Sequence, residues 1–129
     1  MNSLSDAAFE ITQDIYNLGG EVDKLHEQYD NRQISEQVYY KKLYAYQCAF
    51  ARLQEVFEKI KSKGYKFTKY KKEISILELF QEDIADNLNY QEMNSTNFSD
   101  LKTIYAFYTR KYADYIDKED IEELDDLNI

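Results

Sequence analysis

The sequence has 129 residues, which is enough for one domain with a buried core. Its formal net charge of −9 disfavours direct binding of nucleic acid, because contacts with phosphates require an excess of lysine and arginine. The single cysteine, Cys48, excludes an internal disulfide and fits a reducing compartment, so we expect a cytoplasmic protein. No stretch is apolar enough to predict a membrane span, and residues 1–10 lack the pattern of a secretion signal.

Long helices are indicated by the absence of proline and by the presence of only three glycines. Gly19 and Gly20 fall inside the first predicted helix, where each costs about 1 kcal/mol relative to alanine. They predict either a break or a close contact with another helix. Apolar residues recur in this helix at spacings of four and three, which is typical of a helix packed along its length. They are Leu4, Ala8, Ile11, Ile15, Leu18, Val22, Leu25 and Tyr29.

A second helix of similar length follows a short polar turn. Ser35 is suited to begin it, because a serine hydroxyl can accept a hydrogen bond from a free backbone N–H. Two long helices joined by a short turn predict an antiparallel hairpin over residues 4–63. The apolar seam of the second helix consists of Tyr39, Leu43, Tyr46, Phe50, Leu53, Phe57 and Ile60.

Two further helices are predicted beyond the hairpin, at about 75–92 and 99–116. With the hairpin they would form a small all-α bundle over residues 1–116. Residues 65–72 alternate loosely between aromatic and lysine side chains, and we interpret them as an extended connector within a linker at 61–73. Residues 117–129 are strongly acidic, so we expect a solvated acidic tail.

No arrangement of residues predicts catalysis, a metal site or a cofactor. His26 is the only histidine, and Asp30 stands where a helical zinc motif requires a second one. Cys48 has no histidine near it in the sequence that would activate the thiol. An enzyme would otherwise need a pocket with two carboxylates of separated pKa values, and the sequence gives no such pair. We therefore expect a protein that is not an enzyme.

Binding to other proteins through helical packing is the function that we favour, because thirteen tyrosines and seven phenylalanines provide large contact areas. On the second helix, Tyr40, Tyr44, Cys48 and Ala51 form a second stripe beside the main seam. This stripe packs either against the third or fourth helix of the same chain or against a helix of a partner. The residues predicted to contact a partner are Tyr39, Tyr40, Tyr44, Tyr46, Phe50 and Leu53.

The segment from Lys59 to Lys72 contains seven lysines and no acidic residue. It contributes +7 to the net charge of −9, so the rest of the chain carries −16. One hypothesis is a solvated connector that pairs with the acidic helices. The other is contact with an anionic membrane surface or with single-stranded nucleic acid, because both are bound by basic groups beside aromatic rings. Of these two, peripheral membrane contact is the better match. The lysines assigned to that contact are Lys63, Lys66, Lys69, Lys71 and Lys72.

Around the hairpin turn, Tyr29 ends the first helix, Ile34-Ser35 follows the turn and Tyr39 opens the return helix. This order resembles the N-terminal domain of the Vps-twenty-eight subunit of ESCRT-I, over residues 14–93. The likeness is also carried by Asp14-Ile15-Tyr16, Leu18, Val22, Leu25, Phe50 and Ser75-Ile76-Leu77-Glu78-Leu79-Phe80. It implies a structural subunit that packs with a UEV-bearing subunit and a coiled subunit in a membrane-remodelling adaptor. The glycine pair and the lysine-rich segment depart from the family's pattern.

A second function stays open, because the carboxylates from Asp117 to Asp126 could stand in for nucleic-acid phosphates. The protein would then be a small acidic inhibitor, of the anti-CRISPR kind that viruses use, and would bind a nucleic-acid-binding host complex. An adaptor should form a complex that resists salt, since apolar contacts carry it. The inhibitor's complex should dissociate in salt, because ions screen its charges.

Overall fold

The protein folds around a hairpin of two long helices. The computed structural model describes residues 3–87 and 99–126, which form helices and turns without a β-strand. The hairpin consists of α1, Leu4–Asp30, and α2, Glu36–Ser62. These two helices pack against each other and further helices complete a small bundle, which confirms the predicted all-α architecture.

The remaining described helices cover the hairpin. They are α3, Lys71–Asn87; α4, Ser99–Lys111; and α5, Lys118–Asp126, with a 3₁₀ turn at Ala113–Tyr115 before α5. α3 contacts both hairpin helices, whereas α4 packs mainly on α2. α5 lies next to α4 and reaches the middle of α2 through side-chain contacts.

Polar caps fix the ends of the hairpin helices. The Ser3 hydroxyl accepts the Asp6 N–H at 3.1 Å, and the Asp6 carboxylate accepts the Ser3 N–H at 3.3 Å, which is a capping box. The Ser35 hydroxyl accepts a hydrogen bond from the Val38 N–H at 3.2 Å, so Ser35 caps the N-terminus of α2 as predicted. Gly64 follows α2 with φ of 102°, a conformation that glycine adopts without strain, so the helix ends there.

The core lies between the two apolar seams of the hairpin. α3 covers it through Phe80, whose ring stacks on Phe50 with 4.5 Å between centroids. Tyr112, after α4, is buried in the same cluster. The fully buried apolar side chains contributed by the hairpin include Ile11, Ile15, Val22, Phe50, Leu53, Val56 and Ile60.

The glycine pair lies in an unbroken helix, so the predicted break is wrong and the predicted close contact is confirmed for one of the two. A Cβ atom on Gly19 would lie 3.3 Å from Cγ2 of Ile76 in α3. Gly19 therefore lets α1 and α3 approach closely. Gly20 faces open space, since no atom lies within 4 Å of the position of its Cβ.

We expect Gly20→Ala to raise the free energy of unfolding by about 0.5–1 kcal/mol, because alanine loses less conformational entropy in a helix. Gly19→Ala is the matched control. At Gly19 the same entropic stabilisation is offset, because the Ile76 side chain must move to make room for the new Cβ atom. The net change in the free energy of unfolding should therefore be smaller than at Gly20, or negative. Urea unfolding followed by circular dichroism measures both. A larger gain for Gly19→Ala would contradict the close packing of α1 on α3.

The lysine-rich segment is not the extended connector that the sequence predicted. α3 begins at Lys71, so Lys71 and Lys72 are helical, and residues 63–70 form a compact turn. Phe67 is 5% exposed and its ring centroid lies 4.1 Å from that of Phe57. Burial of aromatic rings against α2 stabilises this turn over an extended chain that would leave them in water.

The C-terminal region also differs from the predicted helix at 99–116 and the solvated tail at 117–129. α4 ends at Lys111, because Tyr112 leaves the helical conformation with φ of −109° and ψ of 32°. Most of the expected tail is helix α5, anchored by Leu124, which is 1% exposed. Residues 88–98, which include the predicted end of the third helix, and 127–129 lie outside the described residues.

Candidate interaction surfaces

The turn end of the hairpin carries a group of rings that we call the tip cluster: His26, Tyr29, Tyr39 and Tyr40. Tyr29 stacks on Tyr39 at 4.2 Å, Tyr40 meets Tyr39 edge-on at 5.1 Å, and His26 lies 5.8 Å from Tyr39. Tyr40 is 55% exposed. None of these four rings belongs to either of the apolar clusters found among the described residues. The tip cluster is therefore a surface feature.

The phenols of Tyr29 and Tyr39 remain protonated at neutral pH. Partial burial raises the pKa of Tyr29, and the carboxylates of Glu36 and Asp30 add to the rise. The pKa of Tyr39 is raised by burial first, and then by Tyr40 and Asp30. The hydroxyls of Tyr29 and Tyr39 can therefore donate a hydrogen bond to an acceptor on another molecule.

The predicted partner-contact residues separate into a surface group and a core group. Tyr39 and Tyr40 lie in the tip cluster, whereas Tyr46 packs partly buried against the main core. Phe50 and Leu53 are both 0% exposed, so their assignment to a partner interface is corrected. The reason is that their face of α2 is covered by other parts of the same chain.

The second stripe of α2 also packs within the bundle. Cys48 is 0% exposed and lies in a small cluster with Tyr105 and Ala106 of α4 and with Leu124 of α5. Tyr44 packs against that cluster. Tyr44 and Cys48 therefore pack against helices of the same chain, which is the first of the two roles predicted for this stripe. Tyr40 lies at the surface instead.

Cys48 is not poised as a nucleophile. Burial raises the pKa of its thiol to about 12, so the reactive thiolate is disfavoured at neutral pH. Its described neighbours are apolar or aromatic side chains of the small cluster. The thiol therefore serves as a packed apolar group.

A buried arginine, which the sequence analysis did not single out, joins α5 to the hairpin. The Arg52 side chain is 3% exposed, and its Nη1 lies 2.5 Å from Glu55 and 3.6 Å from Asp120. Its Nη2 donates to the Tyr105 hydroxyl, and the guanidinium lies 4.5 Å from the centroid of that ring. Burial raises the pKa of Glu55, and Arg52 counteracts the rise. The only sequence signal for this network is one arginine between Phe50 and Leu53.

Three carboxylates gather around Arg52. Acceptor atoms of Glu55, Asp117 and Asp120 lie within 4.8 Å of one another, a spacing that a cation could use. The guanidinium already pairs with two of them, so a metal ion would have to compete with a fixed positive charge. This arrangement is an ion-pair network that holds α5 against α2.

A second polar contact joins the end of α4 to α1. The Lys111 ammonium lies 2.7 Å from the Asp14 carboxylate, which also accepts a hydrogen bond from the Tyr112 hydroxyl. Burial first, and then the Asp14 carboxylate, raise the pKa of Tyr112. Asp14 therefore fixes the position of α4 on the hairpin.

At the far end of the hairpin from the tip cluster lies the surface that we call the basic cap. Lys63 and Lys69 lie over the rings of Tyr115 and Tyr70, at 5.9 Å and 5.2 Å from the centroids. Among the side chains that the structure describes, no lysine of the cap forms an ion pair, and the pairing of this segment with acidic helices stays a prediction. The cap consists of the exposed residues Lys59, Lys61, Lys63, Lys66, Lys69, Lys71 and Lys72.

A groove of about 560 Å³ adjoins the basic cap. It lies between the end of α2, the turn at 63–70 and the start of α3. Lys61 and Lys66 line it together with Glu58 and Glu78. Its apolar lining consists of Phe57, Tyr65, Phe67, Ile74 and Leu77.

Comparisons with protein-family models, with curated proteins and with solved structures found no match to this chain. In the described ranges, 3–87 and 99–126, no helix is long and apolar enough to cross a membrane. Among the described residues, the candidate interaction surfaces are the tip cluster, the basic cap and the acidic helix α5.

Proposed function

We propose that this protein is a non-enzymatic interaction subunit that binds a partner protein through its tip cluster. The observation that carries the proposal is the group of stacked tyrosines outside the core, in which Tyr40 is 55% exposed. Tyrosine is enriched in protein interfaces because it combines a large rigid ring with a polar hydroxyl. Val38 lies beside the tip cluster in sequence and adds an apolar side chain that is 39% exposed.

The partners that fit best are helical subunits. A partner helix can cover Tyr40 and Val38 with apolar side chains and accept hydrogen bonds from the phenols. The resemblance to the ESCRT-I subunit suggests UEV-bearing and coiled-coil partners, in a cytoplasmic complex at the periphery of membranes. The buried thiol of Cys48 and the ion-paired carboxylates near Arg52 support a role without catalysis.

Tyr40→Ala is expected to weaken partner binding by about tenfold or more, because central tyrosines of interfaces often contribute 2 kcal/mol or more. Tyr16→Ala is the matched control, since Tyr16 is 53% exposed on α1 and undergoes the same chemical change. Tagged wild-type and variant proteins would be purified from the native source at low and high salt. Quantitative mass spectrometry would identify the partner, and titration with that partner would give the affinities.

The outcomes of this experiment separate the alternatives. A salt-resistant partner that is lost with Tyr40→Ala and kept with Tyr16→Ala would support binding at the tip cluster. Equal binding by both variants would exclude the tip cluster as the site. Loss in both variants would point to a broader surface that includes α1.

A small acidic inhibitor is the second candidate. It is favoured by α5, which is an ordered helix with Glu119 and Glu122 exposed and so holds its carboxylates in fixed positions. Mimicry of phosphates requires such a fixed array of negative charge. In the same purification, a nucleic-acid-binding protein that is released at high salt would favour this function.

A further inference from the structure

Seven lysines of the basic cap remain without a described carboxylate partner, in a chain whose net charge is −9. Like charges so close in sequence repel one another, and nearby carboxylates would relieve that repulsion. Ion pairs among the described residues include those of Lys24, Arg52 and Lys111. The positive charge of the basic cap is therefore available to an anionic partner.

The aromatic rings between these lysines point into the protein. Phe67 packs on Phe57, Tyr65 meets Phe67 edge-on at 4.8 Å, and Tyr70 is 9% exposed. A surface that inserts into a membrane or stacks on nucleotide bases needs its rings outside. These aromatic rings are therefore not placed to enter a membrane, as the predicted membrane contact would need. They line the groove and pack in the core instead.

The groove adds an apolar site to the charged surface. Its volume of about 560 Å³ lies within the usual range of pockets for small ligands, so it has room for a large apolar side chain. Lys61 and Lys66 line it and attract an anion, whereas the lining carboxylates Glu58 and Glu78 repel one. An occupant must therefore combine an apolar anchor with negative charge that lies toward the two lysines.

We propose that the basic cap and its groove bind an acidic peptide segment of a partner protein. One aromatic or aliphatic side chain of the peptide enters the groove, and flanking carboxylates lie on Lys61 and Lys66. The lysines extend beyond the groove, so a chain with several carboxylates matches them better than a single small anion. Phe57 lies roughly 27 Å along α2 from Tyr39, at about 1.5 Å per residue, so this site is separate from the tip cluster. It goes beyond the proposed function and does not depend on it.

The test uses the full chain and a labelled peptide in which glutamates flank one phenylalanine. Fluorescence anisotropy should show binding that weakens with added salt. Lys61→Glu together with Lys66→Glu should lower the affinity by about tenfold or more. Lys24→Glu with Lys118→Glu changes the charge equally at exposed lysines outside the groove, and this control should keep most of the affinity. Replacing the phenylalanine of the peptide with alanine should also weaken binding.

Several results would overturn the proposal. Equal losses in the two double variants, or equal affinity for the peptide that carries alanine, would show diffuse charge attraction without a site. No binding of the peptide, together with sedimentation on vesicles of phosphatidylserine and phosphatidylcholine, would assign the cap to an anionic membrane. Circular dichroism checks that the variants are folded, so that loss of binding reports on the surface.

Discussion

Replacing Phe50 with alanine is expected to lower the free energy of unfolding by about 3–5 kcal/mol. Phe50 is 0% exposed and its ring stacks on Phe80 of α3. The substitution removes buried apolar surface and leaves a cavity whose walls belong to several packed helices, so the cavity cannot close without loss of other contacts. Urea unfolding followed by circular dichroism would measure the change.

Phe107→Ala is the matched control for this prediction. Phe107 is 59% exposed on α4, so the same substitution should change the free energy of unfolding by only about 0.5 kcal/mol. Equal losses at Phe50 and Phe107 would contradict the position of Phe50 in the core. The burial of Phe50 also means that Phe50→Asp would unfold the protein, so such a variant cannot report on partner binding.

The sequence was sufficient to predict the hairpin but not to tell its core from its surface. Helical spacing placed Phe50 and Tyr39 on one seam, and serine chemistry identified Ser35 as the cap of α2. Periodicity shows which face of a helix is apolar, and it does not show whether that face is covered by the same chain or by another. The tip cluster therefore became distinguishable from the core only when α3 and α4 were in place.

The features that the sequence did not predict depend on contacts between distant residues. The acidic composition of α5 gave no indication in the sequence that Leu124 is buried against Ala45 and Cys48 of α2. Arg52 and Asp120 meet only because the chain returns to the hairpin after α4. For the lysine-rich segment, the local alternation of residues predicted an extended chain. In the structure Phe67 packs on Phe57 of α2, a contact that local alternation does not reveal.

Removing the two carboxylates that pair with Arg52, by Glu55→Gln with Asp120→Asn, is expected to cost about 3 kcal/mol of stability. The Arg52 side chain is 3% exposed, so a buried cation would lose both of the carboxylates that pair with it. This loss of stability is at the low end for a broken buried ion pair. Burial raises the pKa of Glu55, so the cost of burying its carboxylate offsets part of the stabilisation from its ion pair with Arg52. Thermal and urea unfolding would give the change.

Two comparisons make this prediction specific. Glu119→Gln with Glu122→Gln removes the same charge from exposed positions of α5, so it should change stability by only about 0.5 kcal/mol. Arg52→Met should cost less than the loss of both carboxylates, roughly 1–2 kcal/mol, because Glu55 and Asp120 are 42% and 33% exposed and remain in contact with water. The reverse order would mean that the packing of Arg52 on Tyr105 of α4 contributes more to stability than the ion pairs with Glu55 and Asp120.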